Sequence, residues 1–547
     1  MRRSALVAAT VAAAVLAGAG VWWFLRGDDG PRATAERYLA AWGRGDYAAM
    51  RALVDAPPAD FADRHARLRT DLGASGWRFT PAAVGEPKDD TAGGSYRGQV
   101  TLGGGRTWTY HAELPFVRRN GEWRVAWSPR VLHPGLQEGQ RLRTSRAWPN
   151  RADILSASGE SLVSHPSGSV QQLVGELGKL SAGQARRLGV PYREGDLGGL
   201  SGLQQQYEPR LAGRPALAVQ IVDGEGDVVK TLREFGGEEG APLRTTIDIR
   251  AQESASRALA DVSKPASLVA IRASTGEILA VANKPGGYNR ALMGQYPPGS
   301  TFKIITAAAL VAGGVSPSSQ VACPATTDVG GREFRNSERK DHGTLSFRDA
   351  FAHSCNTTFA RMAVDRLGQE RLGEVARMFG FGAPIIGGLP AVRAAFPATA
   401  DATALAAASF GQGQVLASPL NMASVAAAAA DGTWRSPRLV SASDASRALD
   451  AKGRRPEPPR RLEPGVTRAL RSLMPAVVSE GTAAGVAFPP GTAGKTGTAE
   501  YGSGDRPPTH AWFVGYRGDV AFAVIVEGGG TGAEAAAPIA AEFLRGL

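Results

Sequence analysis

In the stretch 296-YPPGSTFKIITAAALVAGG-314, Pro297-Pro298-Gly299 reads as a turn and Ser300 as the cap of a helix that runs apolar to Gly313. Any fold this chain adopts has to accommodate that helix and the lysine within it. Lys303 lies on the same face as Ser300, one turn later. It stands between Phe302 and Ile304-Ile305, which places it for removal from water. Serine is a poor nucleophile until a neighbour takes its proton. A lysine does so only when its pKa falls towards neutral, which burial, other cations and the positive end of a helix dipole favour. Arginine could not serve as that base. Only nine of the 62 basic residues are lysine, so a lysine here carries information.

Ser-x-x-Lys is weak evidence alone. Ser337-Glu338-Arg339-Lys340 fits it too, but sits in the polar run GGREFRNSERKDHG, opens no apolar helix and reads as surface loop. Two other stretches add weight. In 352-AHSCNTTFA-360, a tight turn between helices would point Ser354 and Asn356 the same way, as a hydroxyl relay and an amide clamp. In 491-GTAGKTGTAEYG-502, Gly494-Lys495-Thr496 imitates a phosphate-binding loop. That loop would need glycine at 489, where the chain has Pro489. The stretch from Lys495 reads instead as an edge strand, with Gly497 allowing a ligand backbone to approach and 511-AWFVGY-516 and 520-VAFAVIVEG-528 as antiparallel neighbours. A peptide would bind there by strand addition. The seven histidines show no metal-binding spacing and no Gly-x-Ser-x-Gly elbow is present, so neither metal nor cofactor is expected.

A chain of 547 residues exceeds one core and should divide into several domains. About 21 apolar residues, Ala5 to Leu25, follow Arg2 and Arg3; that length spans a bilayer once and leaves residues 1–4 in the cytoplasm. The expectation is an uncleaved anchor with everything after it outside; the rival is a signal peptide cleaved near Ala17-Gly18-Ala19. Residues 32–140 read as an α+β domain, two amphipathic helices broken at Gly43–Gly45 and packed on a curved antiparallel sheet with a hairpin at Asn120-Gly121. Residues 141–262 read as a patchier, β-rich segment, and 266–547 as a final domain opened by the apolar hairpin 266-ASLVAIRASTGEILAVANKP-285. The Pro/Arg stretch 453–461 reads as a solvated loop within it. The net charge of +11 comes without basic runs interleaved with aromatics, which argues against nucleic-acid binding. Outside the cytoplasm Cys323 and Cys355 are a candidate disulfide; two buried, unpaired thiols are the alternative.

Ser-x-x-Lys opening a helix, Ser-x-Asn further on and Lys-Thr-Gly-Thr on a late strand together resemble the penicillin-binding proteins and serine β-lactamases. TGEILAV, NRA at 289–291, YPPGSTFK, SCNTTFA, FGQGQ at 410–414, SPLNMA, GTA at 481–483 and GKTGTAE look like a penicillin-binding transpeptidase domain over 266–547. PNRADIL, YEPRLAG and LRTTIDIRAQ resemble its pedestal or dimerisation domain. Residues 32–140 are similar to the NTF2-like domain of the methicillin-resistance type, and no Glu-rich glycosyltransferase segment precedes them. The resemblance implies a multidomain α+β protein of class B, on the extracytoplasmic side of the membrane, whose sheet is flanked by helices. It implies peptidoglycan stem peptides as substrate, β-lactams as covalent ligands, and a glycosyltransferase among its partners. By the same resemblance Ser300 is the nucleophile, Lys303 its base, and Ser354 the proton relay, tuned by Lys495. Asn356, Lys495, Thr496, Gly497 and Thr498 bind substrate, and the backbone N–H groups of Ser300 and Thr498 form the oxyanion hole. A β-lactamase would need a water-activating Glu-x-x-x-Asn, which is absent; a D,D-carboxypeptidase, or a structural partner with dispensable catalysis, stay as alternatives.

Overall fold

The computed structural model describes residues 30–445, 455–503 and 507–547. The expected anchor, Ala5–Leu25, and the start of the Pro/Arg stretch lie outside the described residues. No helix among the described residues is long and apolar enough to cross a membrane. These residues form two units. One joins the chain up to Arg151 with Ser181–Gly195 and Ala212–Gly240; the other comprises Ala152–Leu180, Asp196–Leu211 and Ala241–Leu547.

In the first unit, α1 (Pro31–Arg44) ends at Gly45, whose φ of 74° needs glycine, and Asp46 caps α2 (Tyr47–Ala52) by accepting from the Ala49 N–H. A third helix, α3 (Phe61–Leu72), follows. The strands are β1 (Gly76–Val84), β2 (Gly94–Thr101), β3 (Thr107–Glu113), β4 (Phe116–Arg119) and β5 (Glu122–Ala126). They do not make the single curved antiparallel sheet that alternation suggests. β1, β2 and β3 form one sheet, while β4 and β5 belong to another in which Val54–Asp55 pairs with β5 in parallel. Pro115 separates the two: without an N–H it cannot extend the β3 ladder. The β4–β5 turn has φ of 51° at Asn120 and 86° at Gly121, the primed geometry that suits the strand twist. Trp42 stacks on Phe79 at 4.0 Å in the core. The strands β6 (Arg141–Ala147), β7 (Ala216–Val222) and β8 (Val228–Phe235) form a further antiparallel sheet that turns Leu217, Val219 and Ile221 into the same core.

The second unit is built on a five-stranded antiparallel sheet. Its strands are β9 (Ala266–Arg272), β10 (Glu277–Lys284), β11 (Thr492–Glu500), β12 (Thr509–Arg517) and β13 (Val520–Val526), in the order β10-β9-β13-β12-β11. Ala266 to Ile271 are all buried, so both faces of the sheet are covered, which is why these strands read as continuous apolar runs. The helices Ile249–Ala258 and Ala537–Arg545 pack together against the sheet; Lys303–Ala312, Pro419–Asp431 and Pro464–Ser479 form a second packed group. At the end of the Pro/Arg stretch Arg460–Arg461 pairs with Thr433–Trp434, and the Arg460 guanidinium lies 4.9 Å from the Trp434 ring centroid. That end is a strand, because a stacked guanidinium gives the pairing a packed partner. β11 is left as a sheet edge, and the site is assembled beside it.

Candidate active site

The chain enters the helix Lys303–Ala312 through a tighter 3₁₀ turn, Gly299–Phe302, and the Ser300 side chain caps neither. Thr301 closes the turn instead, its hydroxyl donating to Pro298 O at 2.6 Å. Ser300 is thereby free to face Lys303, whose Nζ lies 3.2 Å from Ser300 Oγ. Gly299 has φ of 54°, and a Cβ there would come within 2.8 Å of Thr498 O, so the turn is pressed against the edge strand as only glycine permits.

Ser354 lies between the helices Phe347–Ala352 and Asn356–Met362, with φ of 58°, a conformation that is sparsely populated for a serine. Lys303 Nζ reaches Ser354 O at 2.7 Å, Ser354 Oγ at 3.2 Å and Asn356 Oδ1 at 2.6 Å. Asn356 Nδ2 donates to Arg335 O at 3.0 Å, which fixes which end of the carboxamide faces the lysine. Cys355, between these two residues, is disulfide-bonded to Cys323, with Cα atoms 6.1 Å apart. Closing a loop of 32 residues' separation contributes about 3–4 kcal/mol in the chain-entropy account. In denatured, unreduced protein we expect no titratable thiol, and two after reduction; two before reduction would rule the bond out.

Ser300, Lys303, Ser354 and Asn356 thus meet at one amine. Lys495 does not join them by a hydrogen bond. Among the described residues its Nζ donates to Thr496 O at 3.1 Å and lies 5.7 Å from the Phe351 ring centroid, and not to Ser354 Oγ. Its reach to the cluster is through space. Thr496 Oγ1 is 2.5 Å from Thr482 Oγ1, and the exposed Thr498 accepts from the Gly532 N–H at 3.4 Å. Gly497 has a different reason for being glycine than ligand approach. A Cβ there would come within 2.8 Å of Thr301 Cγ2 and 3.0 Å of Trp512 Cβ, so it makes room for the serine-bearing turn. The other Ser-x-x-Lys forms an exposed turn, with φ of 53° at Glu338 and 52° at Arg339.

Both lysines are wholly buried. Burial lowers the Lys303 pKa well below the usual lysine value, and the charge of Lys495 lowers it further. Burial alone brings Lys495 down to about 7. All four hydrogen-bond partners of Lys303 are uncharged, so no counter-charge offsets the cost of burying the ammonium form. Ser354 O and Asn356 Oδ1 can only accept, and they take two N–H groups of a neutral amine. Its lone pair is then left facing the hydroxyls of Ser300 and Ser354.

Compared with known proteins, residues 266–545, more than half of the chain, match the penicillin binding protein transpeptidase domain. The chain belongs to that family. Residues 30–140 match the NTF2-like N-terminal transpeptidase domain and 149–245 the penicillin-binding protein dimerisation domain, together the arrangement of a class B penicillin-binding protein. The peptidoglycan D,D-transpeptidase PbpA of Mycolicibacterium smegmatis is 33% identical over 353 residues, 55% of this chain and 71% of that protein. PbpA of Mycobacterium tuberculosis is 32% identical over 364 residues, with the same shares. A solved ceftriaxone acyl-enzyme of penicillin-binding protein A from M. tuberculosis has a TM-score of 0.50 at 30% identity, covering 56% of this chain and 80% of that one. A chain of a peptidoglycan synthase complex that coordinates polymerization and crosslinking has a TM-score of 0.63 at 25% identity, covering 75% and 92%.

Within this penicillin-binding transpeptidase domain, the sequence gives no role to Thr482, although Gly481-Thr482-Ala483 is one of the stretches that carry the resemblance. Nor does it single out Phe359 and Phe410, whose ring centroids lie 5.4 and 5.8 Å from Lys303 Nζ and keep water from the amine. The Phe410-Gly411-Gln412 signal lies in the sequence; its nearness to Lys303 does not.

Proposed function

We propose that this chain is a peptidoglycan D,D-transpeptidase that works through a Ser300 acyl-enzyme. The observation that carries this reading is a buried amine with two hydroxyls, each 3.2 Å from Nζ, beside an open sheet edge. Ser300 Oγ attacks the carbonyl of the penultimate D-alanine while Lys303 takes its proton. The oxyanion forms against the backbone N–H groups of Ser300 and Thr498, each such donor contributing about 3 kcal/mol. As the D-Ala-D-Ala bond breaks, Lys303 returns the proton through Ser354 to the leaving amine. The N–H of Asn356 not held by Arg335 O is available to a substrate carbonyl. Lys495, Thr496 and Thr498 hold the terminal carboxylate, and the peptide lies along β11. The amine of a second stem peptide then takes the acyl group and the cross-link forms. A β-lactam presents its own carbonyl and carboxylate in the same places and stays bound as an ester of Ser300.

Residues 5–25 would anchor the protein, with its domains outside the membrane beside a glycosyltransferase. The likeness to a chain of a peptidoglycan synthase complex supports that pairing. Lipid-linked precursor incubated with a glycosyltransferase and this protein should yield cross-linked dimers by mass spectrometry. Trimmed monomers alone would make it a D,D-carboxypeptidase.

A further inference from the structure

The run 331-GREFRNSERKDHG-343 looks like a solvated loop in sequence, but one of its residues is buried in the structure. Asn336 is 5% exposed. It follows the short hairpin strands Thr326–Val329 and Arg332–Arg335, and every polar atom of its side chain is engaged. Nδ2 donates to Pro324 O at 2.9 Å and Lys340 O at 3.0 Å, and lies 3.3 Å from Cys323 Sγ. Oδ1 accepts from the Thr357 N–H at 3.2 Å and lies 3.3 Å from the Thr357 hydroxyl, which donates to Pro324 O at 2.8 Å.

One side chain therefore bridges the base of the hairpin to the first turn of the helix Asn356–Met362. Its neighbour acts in parallel, since Arg335 O receives the Asn356 amide. The disulfide, whose Cys323 Sγ lies against Asn336 Nδ2, pins the same turn through Cys355. All three links bear on the residues that surround the Lys303 amine, and Ser354 among them holds a backbone conformation that needs support. A free asparagine on a mobile loop would do none of this.

We propose that Asn336 is a positioning residue for acyl transfer at Ser300, acting by holding the Ser354–Asn356 turn against Lys303. This rests on the reading of Ser300 and Lys303 given above. Without the carboxamide, the Thr357 N–H loses its acceptor, Lys340 O loses its donor and Pro324 O keeps only the Thr357 hydroxyl, so the turn can relax away from the amine. Noncovalent capture of a penicillin rests mainly on β11 and Lys495, with a single contact from Asn356, whereas the chemical step depends on where the turn sets both Ser354 and Asn356 against Lys303.

The test is pre-steady-state acylation of the full chain by a fluorescent penicillin, separating the noncovalent dissociation constant from the acylation rate constant across pH. In Asn336→Leu, similar in size and without polar atoms, the rate constant should fall about tenfold to a hundredfold, the scale of a misplaced catalytic group. The dissociation constant should change less than about threefold, and the acid limb should move, because Lys303 loses fixed partners. Asn336→Asp supplies one donor and one acceptor while its carboxyl is protonated, and in that form should recover most of the rate; once ionised it faces two carbonyls as an anion and the rate should fall. Wild-type rate and acid limb in Asn336→Leu would overturn the proposal. So would fewer reactive sites each acylating at the wild-type rate, since that is loss of folded protein only. If Asn336→Leu does not fold, Asn336→Asp decides: a rate and acid limb unchanged from pH 5 to 9, across ionisation of the new carboxyl, would overturn it. Failure of the wild type to acylate at all would instead sink the reading of the site.

Discussion

Ser300→Ala is expected to abolish covalent labelling of this protein by a fluorescent penicillin. The amine of Lys303 stands 3.2 Å from two hydroxyls, those of Ser300 and Ser354, so distance from the base does not choose between them. Position relative to the edge strand does. Gly299 packs against Thr498 O, which sets the Ser300 turn at the wall where a peptide would add to β11. Ser354 turns its carbonyl as well as its hydroxyl to Lys303. Removing one hydroxyl leaves the base and the cleft but no atom to form the ester, so the loss should be complete. Persistent labelling of Ser300→Ala, with the label mapped to Ser354 by peptide mass spectrometry, would exchange the two roles.

Lys303→Arg should be nearly as damaging, with acylation down by about 10²–10⁴-fold, the usual scale of a positioned proton acceptor. The substitution keeps a cation and removes the lone pair. Its guanidinium would also be confined where the structure offers two carbonyls and two hydroxyls and no carboxylate, so a lower melting temperature should accompany the loss. The pH dependence follows from the directions of the two lysine shifts. A base must be unprotonated, so wild-type acylation falls on acidification as Lys303 takes up a proton, at a pH well below the ordinary lysine value. In its proposed role Lys495 holds a carboxylate only while charged, so capture of the ligand should weaken as pH rises through about 7. In Lys303→Arg the residual rate should lack the acid limb. Near-wild-type acylation by that variant, or an unmoved acid limb, would remove Lys303 as the base.

Much of this was legible in the residues. A lysine inside an apolar helix, one turn after a serine, already requires burial and proximity, because the helical repeat and the neighbouring Phe302 and Ile304 dictate both. The apolar runs 266–271 and 520–526 determine strands covered on both faces, and Pro489 excludes the phosphate loop. Ser300 reads as a cap in sequence but caps neither turn nor helix, because turn chemistry depends on which neighbouring hydroxyl closes the turn, and Thr301 does so. Gly497 reads in sequence as room for a ligand, but the space beside it is taken by Thr301 and Trp512, distant in sequence and adjacent in space.

Periodicity and composition record what each segment does along its own axis. They determined the helix, the strands and the pairing of Ser300 with Lys303; the further groups assigned to the chemistry came from the resemblance to penicillin-binding transpeptidases. Tertiary structure alone decided that Lys303 would meet Ser354 and Asn356, 51 and 53 residues away, that Lys495 would act on it without a hydrogen bond to Ser354, and that a polar run resembling surface would bury Asn336 beneath the turn. Those outcomes depend on which carbonyls and amides converge in a dry interior. A buried polar group must find a partner wherever the chain supplies one, however far along it that partner lies.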